Sequence, residues 1–424
     1  MPDMDIIIIG AGIGGLTTAL SLHAAGIPTT IYESAREIRE LGVGINLLPH
    51  AVRELTELNL LDSLRAEAIE TSELNYFNKF GQLIWNEPRG LAAGYHWPQL
   101  SIHRGRLQAI LLQAVLERLG EDRIVTGHHL AGFEEMADGR IEATFVDRQS
   151  GEVLKKRIAD ATIAADGIHS KARSILYPDE GMPIWNGAVL WRGITDSAPF
   201  LTGRSMFMAG HENQKFVCYP ISNKHFQAGR SLTNWIAELK FPPGPLPERE
   251  DWSREGDFAD FLPQFESWQF DWLDIPSIIR AGQHAFEFPM VDRDPVESWA
   301  FGSIVLLGDA AHPMYPIGSN GASQGILDAR VLARELSRSK DPVSAFKTYD
   351  AERRPPVSKI VIANRGNGPE QVMQMAEELA PEGFDHIDNV IPHEKLAEIA
   401  NRYKQVAGFQ KDALNERQSL SVGV

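Results

Sequence analysis

Three stretches of this chain set glycine and an acid at the ends of apolar runs, a pairing that can seat a phosphorylated nucleotide. In the first, Gly10-Ala11-Gly12-Ile13-Gly14-Gly15 follows the run Ile6 to Ile9, and Glu33 stands 18 residues beyond Gly15. Gly10 suits a tight turn, Gly12 lets backbone approach a pyrophosphate, and Gly15 allows close helix packing; an acid at the end of the next strand suits a ribose hydroxyl pair. In the second, Asp166-Gly167 precedes a basic helix start that includes Lys171 and Arg173. In the third, Gly308-Asp309 ends the run Ile304 to Leu307, and Pro316, Gly318, Asn320 and Gly321 lead into a helical pattern. The Asp309 carboxylate can accept hydrogen bonds from a polyol, and the helix start near Gly321 offers N–H groups to an anion. Taken alone, this third stretch reads equally well as a strand, a turn and a helix start used only for folding.

These groups work only if strands and helices hold them. Ile6 to Ile9 and Ile304 to Leu307 have no polar face and suit strands buried on both sides of a parallel sheet. The spacing predicts helices over Leu16–Ala25, Pro49 to about Asn59, Leu107–Leu119 and Ala322–Leu336, and a strand over Thr29–Tyr32. Gly42 and Gly44 either let the chain pass a flat ring or serve as plain turns. Arg104, at a helix start, is placed to reach a phosphate bidentately or to remain a surface residue. Residues 72–100 alternate aromatic and polar positions, as in a second, more open sheet. Hairpins are predicted over 124–165, where His128 and His129 have no third ligand at metal spacing. Seven of the nine tryptophans fall between 176 and 300, with the Pro-rich loop 241–250, a pattern of either a lid over a flat apolar ligand or an aromatic core. Residues 361–424 return to charged helical patterns, and the last dozen look frayed.

At 424 residues the chain can bury a large two-lobed core. Its net charge of −16 argues against nucleic acid and anionic membrane as partners and leaves a small molecule. The single cysteine, Cys218, excludes an intramolecular disulfide and suits a reducing compartment. The glycine-interrupted run near the N-terminus reads as neither signal peptide nor membrane span. A soluble cytoplasmic protein, monomer or homodimer, is expected, with no metal.

Three motifs in this order, GAGIGG at 10–15, ADGIHSKAR at 165–173 and LGDAAHPMYP at 307–316, resemble those of the single-component FAD-dependent aromatic hydroxylases of para-hydroxybenzoate hydroxylase fold. LWRGIT at 190–195, PMVDRDPVESW at 289–299 and MYPIGSNGASQGILD at 314–328 are most similar to the phenazine hydroxylases among them. The last segment departs from the commoner form, in which leucine, glycine, glutamine and asparagine would replace Gly318, Ser319, Asn320 and Ser323. The resemblance implies an α/β fold with an α+β lid: a Rossmann-like FAD-binding domain (1–71, 101–175, 285–360), an inserted, mostly β substrate domain (72–100, 176–284) and C-terminal helices (361–424).

The resemblance also implies roles. Gly10, Ala11, Gly12, Gly14 and Gly15 would hold the FAD pyrophosphate and Glu33 the adenosine ribose. Gly44 and Arg104 would lie along the cofactor, Leu130 would bond adenine through its backbone, and Asp309 would bind the ribityl or pyrophosphate part. Asp166, Gly167 and Arg173 would serve FAD and a passing NADH or NADPH, and the helix start at Gly321 would face the flavin pyrimidine edge. The implied reaction is hydroxylation of an aromatic substrate, such as a phenazine or aromatic carboxylic acid, by O2 through a flavin C4a-hydroperoxide, with decarboxylation where a carboxylate occupies the attacked carbon. Pro316 would sit beside the reacting flavin edge, and Arg192 would face a carboxylate or the flavin ring. Tyr219 and Tyr315 either line the pocket or are wall tyrosines, and His211 and His225 lack a visible partner. The competing readings are an epoxidase or ring reductase of the same fold, and a flavin-binding redox sensor without turnover.

Overall fold

The computed structural model describes residues 4–242, 254–339 and 341–420. The Pro-rich stretch from 243 onward and Trp252 lie outside the described residues.

Ile6–Ile9 is wholly buried and pairs in parallel with Thr29–Tyr32 on one side and Ala161–Ala164 on the other. Ile304–Leu306 extends this sheet in parallel beyond Ala161–Ala164. All three glycine-and-acid motifs therefore leave the same carboxyl edge of one six-stranded sheet, where ligands of open α/β sheets bind. The helices Ile13–Ala24 and Gly321–Arg338 pack side by side beneath that edge. The predicted helix after Gly321 gains one residue at its start and two at its end, because Asn320 rather than Gly321 occupies the cap.

The second sheet has seven strands: Ala285–Asp292, Ile184–Ser197, Ser231–Lys240, Gln214–Pro220, Ser205–His211, Glu73–Phe77 and Leu83–Pro88 in spatial order. The strand just after the expected boundary between 284 and 285 is shared with this sheet. Ala285–Asp292 pairs antiparallel with Ile184–Ser197 and belongs to this sheet, its alternating apolar residues being partners for that strand rather than an entry to the next motif.

Alternation along these strands decides what each face does. Trp191, Phe207, Phe216 and Trp235 point to one side, where they join Phe261 and Phe265 in an aromatic core. Arg192, Met208, Val217 and Ile236, their neighbours in sequence, point to the other. Of the two patterns open for the tryptophans of 176–300, the aromatic core holds among the described residues: Trp185, Trp191, Trp235, Trp268 and Trp272 fill the core behind this sheet, Trp299 packs in the core of the parallel sheet, and aliphatic and methionine side chains form the wall of the cavity. The C-terminal helices, His393–Val406 among them, pack across the junction of the two sheets. No helix of the described residues is long and apolar enough to cross a membrane.

Candidate active site

The glycine loop is crowded on its sheet side and open on the other. At Gly10, with φ +102°, a Cβ would lie 2.6 Å from the Ala165 carbonyl oxygen, and at Gly15 it would strike the Gly10 carbonyl. At Gly12 and Gly167 a Cβ would meet nothing within 4 Å. Backbone exposed in this way beside a helix start is what a cofactor pyrophosphate requires, so the residues present fit a dinucleotide. Glu33 pins the loop: its Oε2 accepts the Ala11 N–H at 2.7 Å and its Oε1 accepts the Ala35 N–H at 2.7 Å. Gln108 donates to the Ala11 carbonyl at 2.8 Å.

A cavity of about 330 Å³ runs from this loop to the seven-stranded sheet. Of the residues singled out in the sequence, it brings together Gly12, Gly14, Gly44, Arg104, Gly167, Asp309, Pro316 and Gly321, with Arg192 and Tyr219 from the sheet. Gly10, Ala11, Gly15 and Glu33 stand behind them as supports. Leu130 lies away from the cavity, buried on the strand His129–Glu135 beside a register shift.

Asp166 and Arg173 are turned inward, against expectation. Asp166 accepts from the Ser170 hydroxyl at 2.5 Å and the Lys171 N–H at 2.7 Å, capping the short helix that follows; burial raises its carboxyl above the usual range. Arg173 is 1% exposed, pairs with Glu180 and donates to the Ala311 carbonyl at 2.7 Å. It ties the second motif to the third.

Asp309 is exposed at the cavity's edge, and buried groups hold its turn. His312 Nε2 lies 2.5 Å from Asp328 Oδ2, Arg353 donates to Asp328 Oδ1 at 2.7 Å, and the Gly308 N–H donates to Asp328 at 3.3 Å. Burial acts to raise the Asp328 carboxyl, but His312 and Arg353 outweigh it and hold it below its usual range. A histidine three residues past an aspartate and an acid two turns into the next helix were the available signals for this network.

Two side chains of the seven-stranded sheet grip Gly44. Its N–H donates to Asn234 Oδ1 at 2.7 Å, and its carbonyl accepts from Arg192 Nη2 at 2.8 Å. Both polar groups of Gly44 are thereby engaged by protein. A Cβ there would lie 2.7 Å from Asn234 Cβ and from Tyr219 Cε2, which is why the position is glycine. Arg192 keeps a buried Nε with no hydrogen-bond partner among the described residues. Burial lowers its pKa, with Tyr219 opposing; burial likewise pushes the Tyr219 phenol up to about 12, so it is a neutral donor at physiological pH.

Of its two open readings, Tyr315 takes the wall one and does not line the cavity. It is 3% exposed, its hydroxyl points to the Ile184 carbonyl at 3.5 Å, and burial raises its pKa. His211 stands at a strand end, and His225 Nδ1 lies 2.9 Å from the Ser222 hydroxyl; neither lines the cavity.

Three charged residues that the sequence reading passed over do line it. Lys215 and Glu238 are cross-strand partners, and Glu370 comes from the C-terminal segment. Lys215 Nζ lies 2.6 Å from Glu370 and 3.1 Å from Glu238, and all three are at most 6% exposed. A lysine in KFVCYP and a glutamate in NWIAEL, each flanked by apolar strand residues, were the signal. The C-terminal segment also fixes the turn at Gly318: Tyr403 accepts from Asn320 Nδ2 at 2.9 Å and donates to Asn364 Oδ1 at 2.8 Å.

The FAD binding domain family model matches residues 3–228 and 284–364. The chain is 47% identical over 364 residues to the phenazine 1,6-dicarboxylic acid hydroxylase PhzS of Lysobacter antibioticus, covering 85% of this chain and 89% of the relative. It is 33% identical over 378 residues to the 3-amino-4-hydroxybenzoate 2-monooxygenase PtmB3 of Streptomyces platensis, covering 86% and 88%. A solved salicylate hydroxylase substrate complex shares the fold, with a TM-score of 0.75 at 21% identity over 99% of this chain and 98% of that one.

Proposed function

Because the chain belongs to the FAD binding domain family and is an FAD-dependent aromatic hydroxylase using NADH or NADPH and O2, we propose that its substrate is a flat polycyclic aromatic acid of the phenazine kind, held with its carboxylate at Arg192. The observation that carries this reading is the cavity: it joins the glycine loop to the seven-stranded sheet and meets there a guanidinium whose buried Nε has no partner among the described residues. A buried cation lacking a counter-charge favours an anionic ligand, and a planar fork favours a carboxylate.

Gly12, Gly14 and Gly167 would give backbone access to the FAD pyrophosphate, Asp309 would accept from its polyol and Arg104 would lie beside its phosphates. When bound, FAD supplies the activation of O2 that hydroxylates the ring. The chain's own residues exclude water, since Leu190, Met206, Met208, Val217, Ile236 and Met290 form an apolar wall. The Tyr219 oxygen faces Arg192, which leaves its hydrogen for a substrate oxygen or nitrogen. Pro316, which lines the cavity on the loop before Gly321, would stand beside the reacting group. Where the carboxylate sits on the attacked carbon, hydroxylation releases it as CO2. We place the enzyme in the cytoplasm, as a monomer or homodimer; the −16 charge supports small-molecule substrates.

The test is oxidation of NADH and NADPH by the FAD-loaded enzyme against phenazine-, quinoline- and benzoate-type acids and phenols, with product mass read alongside. The expected result is stimulation by a polycyclic acid whose product gains one oxygen, or has its carboxyl exchanged for a hydroxyl, with KM raised roughly 10- to 100-fold in Arg192→Met, the value of a charge-assisted hydrogen bond. A product that gains only hydrogens, or an unchanged KM, would overturn the reading.

A further inference from the structure

Along the seven-stranded sheet the cavity has two charged poles of different kinds. At one, the Arg192 Nε–H has no partner among the described residues. At the other, the single cation Lys215 is already matched by two carboxylates, at 2.6 and 3.1 Å. Strand register fixes their separation: Arg192 pairs with Ile236 and Ile236 with Val217, whereas Lys215 pairs with Glu238 and Glu238 with Leu190. Lys215 is thus two strands over and two residues along from Arg192, roughly 12 Å by ordinary sheet spacings. That separation suits the two ends of a substituted three-ring aromatic.

Resting on the reading that the substrate is a polycyclic aromatic acid anchored at Arg192, we propose that Lys215, Glu238 and Glu370 determine specificity by turning away a second carboxylate, so that the pocket takes aromatic monoacids and rejects diacids of the same ring system. The cluster has one cation and two carboxylates, all nearly inaccessible to water. Burial raises the Glu238 carboxyl, with Lys215 opposing. Carboxylates on both sides already match the lysine's charge, so among the described residues no unpaired positive charge meets an incoming anion there, and like charges at close range in a poorly screened site repel strongly. The charge asymmetry is set by Glu370, a residue that only the C-terminal segment supplies.

The experiment compares phenazine-1-carboxylic acid with phenazine-1,6-dicarboxylic acid on FAD-loaded wild type, Glu238→Gln and Glu370→Gln, reading kcat/KM, product mass and the dissociation constant of each acid. The expected wild-type preference for the monoacid is at least 10-fold, and each variant should cut that preference about 10-fold through a lower KM for the diacid. Wild type that uses the diacid as well as the monoacid overturns the proposal, and so does an unchanged ratio in variants that still turn over the monoacid. Should both variants fail to fold, the wild-type ratio and the diacid's dissociation constant decide alone. If neither acid binds or stimulates oxidation, the substrate reading falls and this proposal with it; if the monoacid is hydroxylated and the ratio is flat, only this proposal falls.

Discussion

Replacing Gly318 with alanine forces a methyl group into the ring of Tyr403. The new Cβ would lie 2.5 Å from Tyr403 Cε1 and closer still to its Cζ and hydroxyl, on a backbone at φ +68°. The left-handed conformation costs alanine about 1–2 kcal/mol, and overpacking adds about 1–3 kcal/mol. Gly318→Ala should therefore lose about 2–5 kcal/mol in equilibrium urea unfolding, with FAD affinity falling at least 10-fold because Ser319, Asn320 and Gly321 follow on the same turn. Tyr403→Ala alone should lose about 3–5 kcal/mol as a large-to-small change. With the ring gone only the backbone penalty remains, so Gly318→Ala in the Tyr403→Ala background should cost about 1–2 kcal/mol, and the double-mutant cycle should show a coupling of about 1–3 kcal/mol. Additivity within about 0.5 kcal/mol would refute the steric argument and leave the C-terminal helix as a neighbour of the turn and no more.

Two further expectations follow from buried and exposed charge. His50 is fully buried against Phe409, and burial first, then Arg417 and Arg353, push its pKa down to about 3 from 6.5. Its folded pKa is depressed, so the unfolded chain binds the proton first: this contribution to stability is full above pH 6.5 and lost as pH falls, by about 2 kcal/mol at pH 5 and about 5 below pH 3. His50→Gln should flatten the stability profile between pH 6.5 and 4, and an unchanged slope would assign acid sensitivity elsewhere. Asp309→Ala should raise the FAD dissociation constant at least 10-fold, by removing an acceptor for the cofactor's polyol at the cavity edge; a variant that keeps its yellow colour through gel filtration with unchanged affinity would remove Asp309 from the site.

What the sequence determined by itself was local. Gly10 and Gly15 are legible because a tight turn and close packing admit no side chain there, and Gly12 because a pyrophosphate needs open backbone beside it; each conformation is settled within a few residues of the glycine. Apolar runs such as Ile6 to Ile9 announce buried strands, and the order of the three motifs announces one parallel sheet. Tertiary structure decided where side chains point. Asp166 and Arg173 share a motif with Gly167, yet only packing against Glu180 and the Ala310–Ala311 turn shows that they face inward while Gly167 faces the cavity. Alternation in KFVCYP and NWIAEL divides each strand into two faces but does not say which face a helix will cover. The aromatic face went to the core, and Lys215 and Glu238 went to the cavity, because the register pairs them directly and Glu370, more than 130 residues further on, closes over them. Contacts of that separation depend on how the two sheets and the C-terminal helices pack together, and no local pattern encodes them.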